Sequence, residues 1–195
     1  MKILKYTVCT LLAVALAVTL AASCYTSYRQ NTGGSYSGLT TVTEQSQQWI
    51  LGCFGHCESV SQLLDEILTF GCENFVYELQ PYGILQDFSM DEFLFEDLCH
   101  GVCFDFSAFA KCVVTVWAEA KGRDDVEAYV YDVILSNGGR HSYNYFSEDG
   151  RKYFLCMTTN VERTRKGKPL EGVVVLEETM EEWMDRWGDK LMVIH

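Results

Sequence analysis

A cysteine nucleophile needs a thiolate and a proton acceptor, and two residues of this sequence have settings that suit those roles. Cys103 follows Gly101-Val102 at the start of a long apolar stretch that reads as a helix. The unpaired amides and dipole of a helix N-terminus favour negative charge, so they promote a thiolate and can hold an oxyanion. Asp105 lies two residues on and is expected to point away around the helix. His141 opens a later strand and offers an imidazole. These residue types in this order suit acyl transfer: the thiolate attacks an amide carbonyl, imidazole moves the proton, and water or an amine resolves the thioester. The structural alternative is a buried, inert thiol and a partly buried histidine. His100 reads as a loop residue and His195 as a terminal one. Cys53, His56 and Cys57 are soft ligands close together, with Cys72 not far off, but no second well-spaced pair follows. No metal and no cofactor is therefore expected.

The elements that must position Cys103 and His141 follow from hydrophobic spacing. Residues 103–121 are apolar on nearly every side and are bounded by Gly101 and Gly122, which predicts a helix in the middle of a domain. Val60, Leu63, Leu64, Ile67 and Leu68 recur at helical spacing, with Gly71 as the expected stop. Residues 74–80 read as extended, Pro81-Tyr82-Gly83 as a turn, and Ser89 as the start of a short helix with Asp91 and Glu92 in its first turn. Downstream, residues 126–136, 140–146 and 152–159 read as strands separated by turns at Asn137-Gly138-Gly139 and Asp149-Gly150, giving an antiparallel meander. Residues 162–169 read as a loop and 173–176 as a last strand. Met180, Trp183, Met184 and Trp187 form a helical stripe.

The order of these parts resembles the transglutaminase-like superfamily. The segments that carry the resemblance are Gly101-Val102-Cys103-Phe104-Asp105-Phe106-Ser107-Ala108, His141-Ser142-Tyr143-Asn144 and Tyr153-Phe154-Leu155-Cys156-Met157-Thr158-Thr159. They span residues 98–160, about a third of the chain. The resemblance implies an α+β fold with a papain-like or transglutaminase-like core, in which a central Cys-bearing helix packs on an antiparallel sheet. It also implies that Cys103 and His141 are catalytic and that a third residue orients the imidazole. Members usually carry an Asp there, and this sequence is read as placing Met157 at that position, with Thr158 or Asn160 as substitutes. A three-residue loop at Asp149 would put Met157 opposite His141, and a two-residue loop Thr158. Two functions follow: cysteine-dependent acyl transfer or hydrolysis on peptide or protein amides, or an inactive binding domain of the same fold whose aromatic surface takes a peptide or glycan.

Composition and the N-terminus narrow the setting. Met1-Lys2-Ile3-Leu4-Lys5 and the apolar run after it have the plan of a secretory signal, expected over residues 1–23. Leu20-Ala21-Ala22-Ser23-Cys24 resembles a lipobox, so Cys24 is the expected lipidation site, with simple cleavage or an uncleaved anchor as alternatives. Residues 24–43 are rich in Ser, Thr, Tyr, Gly and Gln, a composition suited to a flexible tether, and residues 44–195 form the domain. The reading is of a bacterial envelope lipoprotein, exported and held to the membrane by its lipid, with envelope peptides or proteins as partners. A net charge of −12 repels phosphate backbones, so nucleic acid is not an expected partner. Seven cysteines lie beyond Cys24, an odd number that leaves at least one unpaired and allows several pairings.

Overall fold

The computed structural model describes residues 40–78, 87–135, 139–176 and 191–193. Strand β1 (Thr40–Thr41) leads into helix α1 (Glu44–Phe54), whose start is fixed by a reciprocal cap. Ser46 N–H donates to Thr43 Oγ1 at 3.4 Å and Thr43 N–H to Ser46 Oγ at 3.0 Å. Helix α2 (Val60–Asn74) is capped by Ser59 and buries the apolar face read from its spacing. It runs through Gly71 rather than stopping there. Gly71 is buried in the helix because the Met157 methyl group packs against it, leaving no room for a Cβ. Strands β2 (Val76–Tyr77), β3 (Phe88–Ser89) and β4 (His100–Gly101) are two-residue pieces, and a π-helical turn at Glu92–Glu96 stands where a short helix was expected.

Helix α3 (Cys103–Lys121) is the apolar helix predicted from the sequence, ending at Gly122, whose φ of 65° suits a residue without Cβ. The five-stranded sheet covers one side of it, built from β5 (Glu127–Leu135), β6 (Arg140–Glu148), β7 (Arg151–Leu155), β8 (Val174–Leu176) and β9 (Leu191–Val193) in the order β8-β7-β6-β5-β9. All pairs in this sheet are antiparallel. Helices α1 and α2 cover the other side of α3. Phe75 stacks on Phe106 and Phe70 on Phe109, with ring centroids 4.6 and 5.5 Å apart, so aromatic burial joins the helical layer to α3. The architecture is thus α+β, with a central Cys-bearing helix on an antiparallel sheet.

The third meander strand is shorter than its sequence suggests. It ends at Leu155, and residues read as strand and loop form helix α4 (Met157–Arg165) instead. Met157 and Val161 are buried one helical turn apart, so α4 continues the core with period 3.6 where an extended chain would expose one of them. Among the described residues no helix is long and apolar enough to cross a membrane. Residues 1–39, including the expected signal, Cys24 and most of the tether, lie outside the described residues, as do the Pro81-Tyr82-Gly83 turn and the 180–187 stripe.

Candidate active site

Two contacts set the start of α3. Strand β4 pairs in parallel with β2, and Glu78 N–H donates to Gly101 O at 2.9 Å, which fixes the chain just before Cys103. Asp105 then accepts from Val102 N–H at 2.8 Å and caps the first turn. Gly101 is required by this cap, since a Cβ there would lie 2.6 Å from Asp105 Oδ2 and 2.8 Å from Asp105 Cβ. Burial pushes the Asp105 carboxyl up to about 6; the Val102 amide opposes the rise and Asp97 adds to it.

Strand β6 crosses this helix start with alternating faces. Asn144 points at α3, donating to Ser107 O at 2.9 Å. One turn earlier on the helix and two residues earlier on the strand, Cys103 Sγ lies 4.0 Å from Ser142 Oγ. A helical turn rises about 5.4 Å and two strand residues about 6.6 Å, so the two contacts stay in step. Ser142 donates in turn to Oδ1 of Asp132, the residue directly opposite it on β5. The other Asp132 oxygen faces Arg140 Nη2 at 3.3 Å. Both Ser142 and Asp132 are buried.

His141 lies on the opposite face of β6. Its Nε2 is 3.1 Å from Cys156 Sγ, which is itself 3.0 Å from Thr159 Oγ1. Among the described residues no hydrogen bond joins Cys103 to His141, so the expected pair is two adjacent pairs: Cys103 with Ser142, and His141 with Cys156. Their fields overlap. Burial pushes the Cys103 thiol up, the Ser142 amide opposes this and Asp132 reinforces it. Burial lowers the His141 imidazole, against Asp132 and then Glu162, which raise it. Burial raises the Cys156 thiol, Thr159 opposes that, and Glu171 and a charged Cys103 add to the rise.

The side chain that meets the His141 imidazole is that of Cys156, and not that of Met157, Thr158 or Asn160. The Asp149-Gly150 turn has two residues, since Glu148 pairs with Arg151, and the ladder ends at Asn144↔Leu155. Extended onward this register would put Thr158 opposite His141, but the chain bends into α4 at Met157 and only Cys156, at the bend, reaches the imidazole. Met157 is fully buried against Gly71. The Thr158 hydroxyl is buried without a hydrogen-bond partner among the described residues. Asn160 ties the loop after α4, donating to Cys156 O at 2.9 Å and accepting from Glu171 N–H and Gly172 N–H at 2.9 and 3.1 Å.

Sequence reading missed Asp132, Ser142, Arg140 and Cys156. Two signals pointed to the first pair. Asp132 is the sole acidic residue inside the otherwise apolar and aromatic run 128–135, and an acid in such a strand is buried only with partners. The alternation that turns Asn144 away from His141 also puts Ser142 on the Asn144 face. Elsewhere, His100 Nδ1 meets Glu78 Oε2 at 2.9 Å on the surface, and His56 Nε2 is 4.0 Å from both Cys57 Sγ and Glu66 Oε1. Among the described residues no cluster of three metal-ligating side chains occurs. All seven described cysteines are free, so no bridge to Cys99 blocks Cys103.

The chain is similar in structure to a protein described as "a Putative Cysteine Protease from Cytophaga hutchinsonii", with a TM-score of 0.46 and 17% identity over 68% of this chain. It is also similar to a crystal structure described as a TGase, with a TM-score of 0.38 and 15% identity over 70% of this chain. It spans 40% and 37% of those two chains, well under half of each. No protein-family model and no curated protein matches the sequence.

Proposed function

We propose that this chain is a transglutaminase-like protein that performs cysteine-dependent acyl transfer or hydrolysis on peptide or protein amides, with Cys103 as nucleophile and His141 as base. The observation that carries this reading is the setting of the Cys103 sulfur: it sits at the N-terminus of the central helix, with the Ser142 and Phe104 amides favouring its charged form, beside the strand that bears His141. Those amides suit an oxyanion as well as a thiolate. For this role the imidazole would have to leave Cys156 Sγ and turn from its own face of β6 toward the sulfur; catalytic hydrogen bonds commonly tighten only when substrate is bound. The test is acylation of the full chain by an activated ester, with the adduct mapped by mass spectrometry. An adduct on Cys103 that is lost in Cys103→Ala and slowed in His141→Ala supports the reading. Adducts spread over the cysteines, indifferent to His141→Ala, overturn it.

A second reading, an inactive binding domain, is favoured by one observation: His141 Nε2 meets a thiol where a carboxylate would hold it. The same sheet face carries the half-buried Tyr129, Tyr131 and Tyr145, with Tyr131 stacked at 5.9 Å on the buried Tyr143, and the three outer rings are aromatic surface of the kind that takes a peptide or glycan. For location, we propose export and lipidation at Cys24, on the strength of residues 20–24 and the polar stretch behind them. Expressed in a bacterium, the chain should then fractionate with membranes and Cys24→Ser should release it; an unmodified N-terminus at Cys24 or beyond overturns this. Envelope peptides or proteins are the partners that such a location offers.

A further inference from the structure

The hydrogen-bond chain behind Cys103 has a direction. An ionised carboxylate only accepts, so the single hydrogen of Ser142 Oγ is committed to Asp132 Oδ1. What Ser142 Oγ turns toward Cys103 is therefore a lone pair, and the 4.0 Å contact is one in which the thiol donates. A thiolate has no hydrogen to give, and would face that lone pair with a buried carboxylate behind it.

We propose that the Asp132–Ser142 couple is a positioning device that holds Cys103 in its protonated, donating form and so keeps the nucleophile at rest near neutral pH. This rests on Cys103 being the nucleophile proposed above, but the hydrogen-bond argument concerns the thiol's ionisation and not any turnover. Asp132 and Ser142 are directly opposed across β5 and β6, so the couple is built into the register and does not depend on a flexible side chain. Arg140 moderates it, because its guanidinium shares the Asp132 charge at 3.3 Å from Oδ2. The other titratable groups that sense the sulfur are Tyr77 from β2 and Cys156 at the end of β7, while Asp132 also acts on His141 and Glu162 from α4 acts on Tyr77 and His141. Burial and Asp132 push the thiol up, against the Ser142 amide and any hydrogen bond its hydroxyl could give the sulfur; the commitment of that hydroxyl hydrogen to Asp132 removes the second of these opposing contributions.

The test is the pH dependence of iodoacetamide alkylation in the full chain, read cysteine by cysteine with mass spectrometry, so that the other thiols report any loosening of the fold. Asp132→Asn removes the charge, and because Arg140 can only donate it holds the amide oxygen on its own side, which turns the NH2 to Ser142 Oγ and frees the Ser142 hydrogen for the sulfur. The Cys103 midpoint should fall by about one unit, which is about tenfold faster labelling below the midpoint, with the other cysteines unmoved. Ser142→Ala in the Asp132→Asn background should cancel a large part of that gain, which neither a structural role nor bare charge would do. Arg140→Met, at an exposed side chain, should move the midpoint up, and it keeps the test available should Asp132→Asn fail to fold. A Cys103 midpoint that stays or rises in folded Asp132→Asn, a gain that survives Ser142→Ala intact, or a midpoint that falls in Arg140→Met overturns the proposal. A lowered midpoint without acylation by esters supports the couple and removes the enzyme reading, so the two fail separately.

Discussion

The imidazole of His141 rests on the thiol of Cys156, Nε2 to Sγ at 3.1 Å, at the point where β7 bends into α4. A thiol is a weak partner for an imidazolium, and burial already lowers the His141 pKa. Cys156→Asp should place a carboxylate on that nitrogen. An opposite charge at this range raises an imidazole by about 1–3 units, so the His141 ring should titrate higher, as followed by NMR. If His141 is the base, acylation of Cys103 should quicken, and unchanged kinetics in the presence of the raised titration would favour the binding-domain reading.

Met157→Asp should do nothing of the kind. Met157 is fully buried, with its methyl group against Gly71, so a charge there has no water and no partner. The expected cost is about 3 kcal/mol or more, measurable as a lowered denaturant midpoint at neutral pH. A folded, more reactive Met157→Asp protein would contradict the burial of Met157 away from the imidazole.

Gly101→Ala should dislodge the Asp105 cap, because the new methyl group would lie 2.6 Å from Oδ2. Overpacking of this kind costs about 1–3 kcal/mol. Asp105→Gly should remove the clash, because it takes away the Cβ at 2.8 Å as well as Oδ2, so the double variant should be less destabilised than the sum of the two singles. Additive losses in the double-mutant cycle would show that the glycine serves something other than the cap.

Asp105 also gives stability a pH dependence of known sign. Its folded pKa, about 6, lies above the ordinary 3.8, so the folded state binds this proton more tightly than the unfolded one. That contribution is complete below about pH 4 and is lost as pH rises through 6, with a size of about 3 kcal/mol for a two-unit shift. Asp105→Asn lacks it. The stability difference between variant and parent should therefore move by about 3 kcal/mol in favour of the variant between pH 4 and pH 8, while the opposite contribution of His141 cancels. A difference that stays constant across this range would show that Asp105 titrates normally.

The sequence by itself determined the parts whose signals are local. The all-round apolarity of residues 103–121 and the glycines flanking them mark α3 to the residue, and alternation together with Asp149-Gly150 marks the β6–β7 hairpin. Both signals follow from helix and strand periods acting over a few residues. What the tertiary structure decided is which side chains meet. Whether Cys103 faces His141 or Ser142 depends on which face of β6 the helix covers, and parity alone leaves that choice open until Asn144 is seen on Ser107. Which side chain meets the imidazole depends on where β7 stops, and it stops at Leu155 because Met157 and Val161 find their burial in a helix against α2 and α3, which no window of the local sequence reveals. Asp132 is one acid in a strand until β6 sets Ser142 across from it, and only then does it become the end of a hydrogen-bond chain that begins at the thiol.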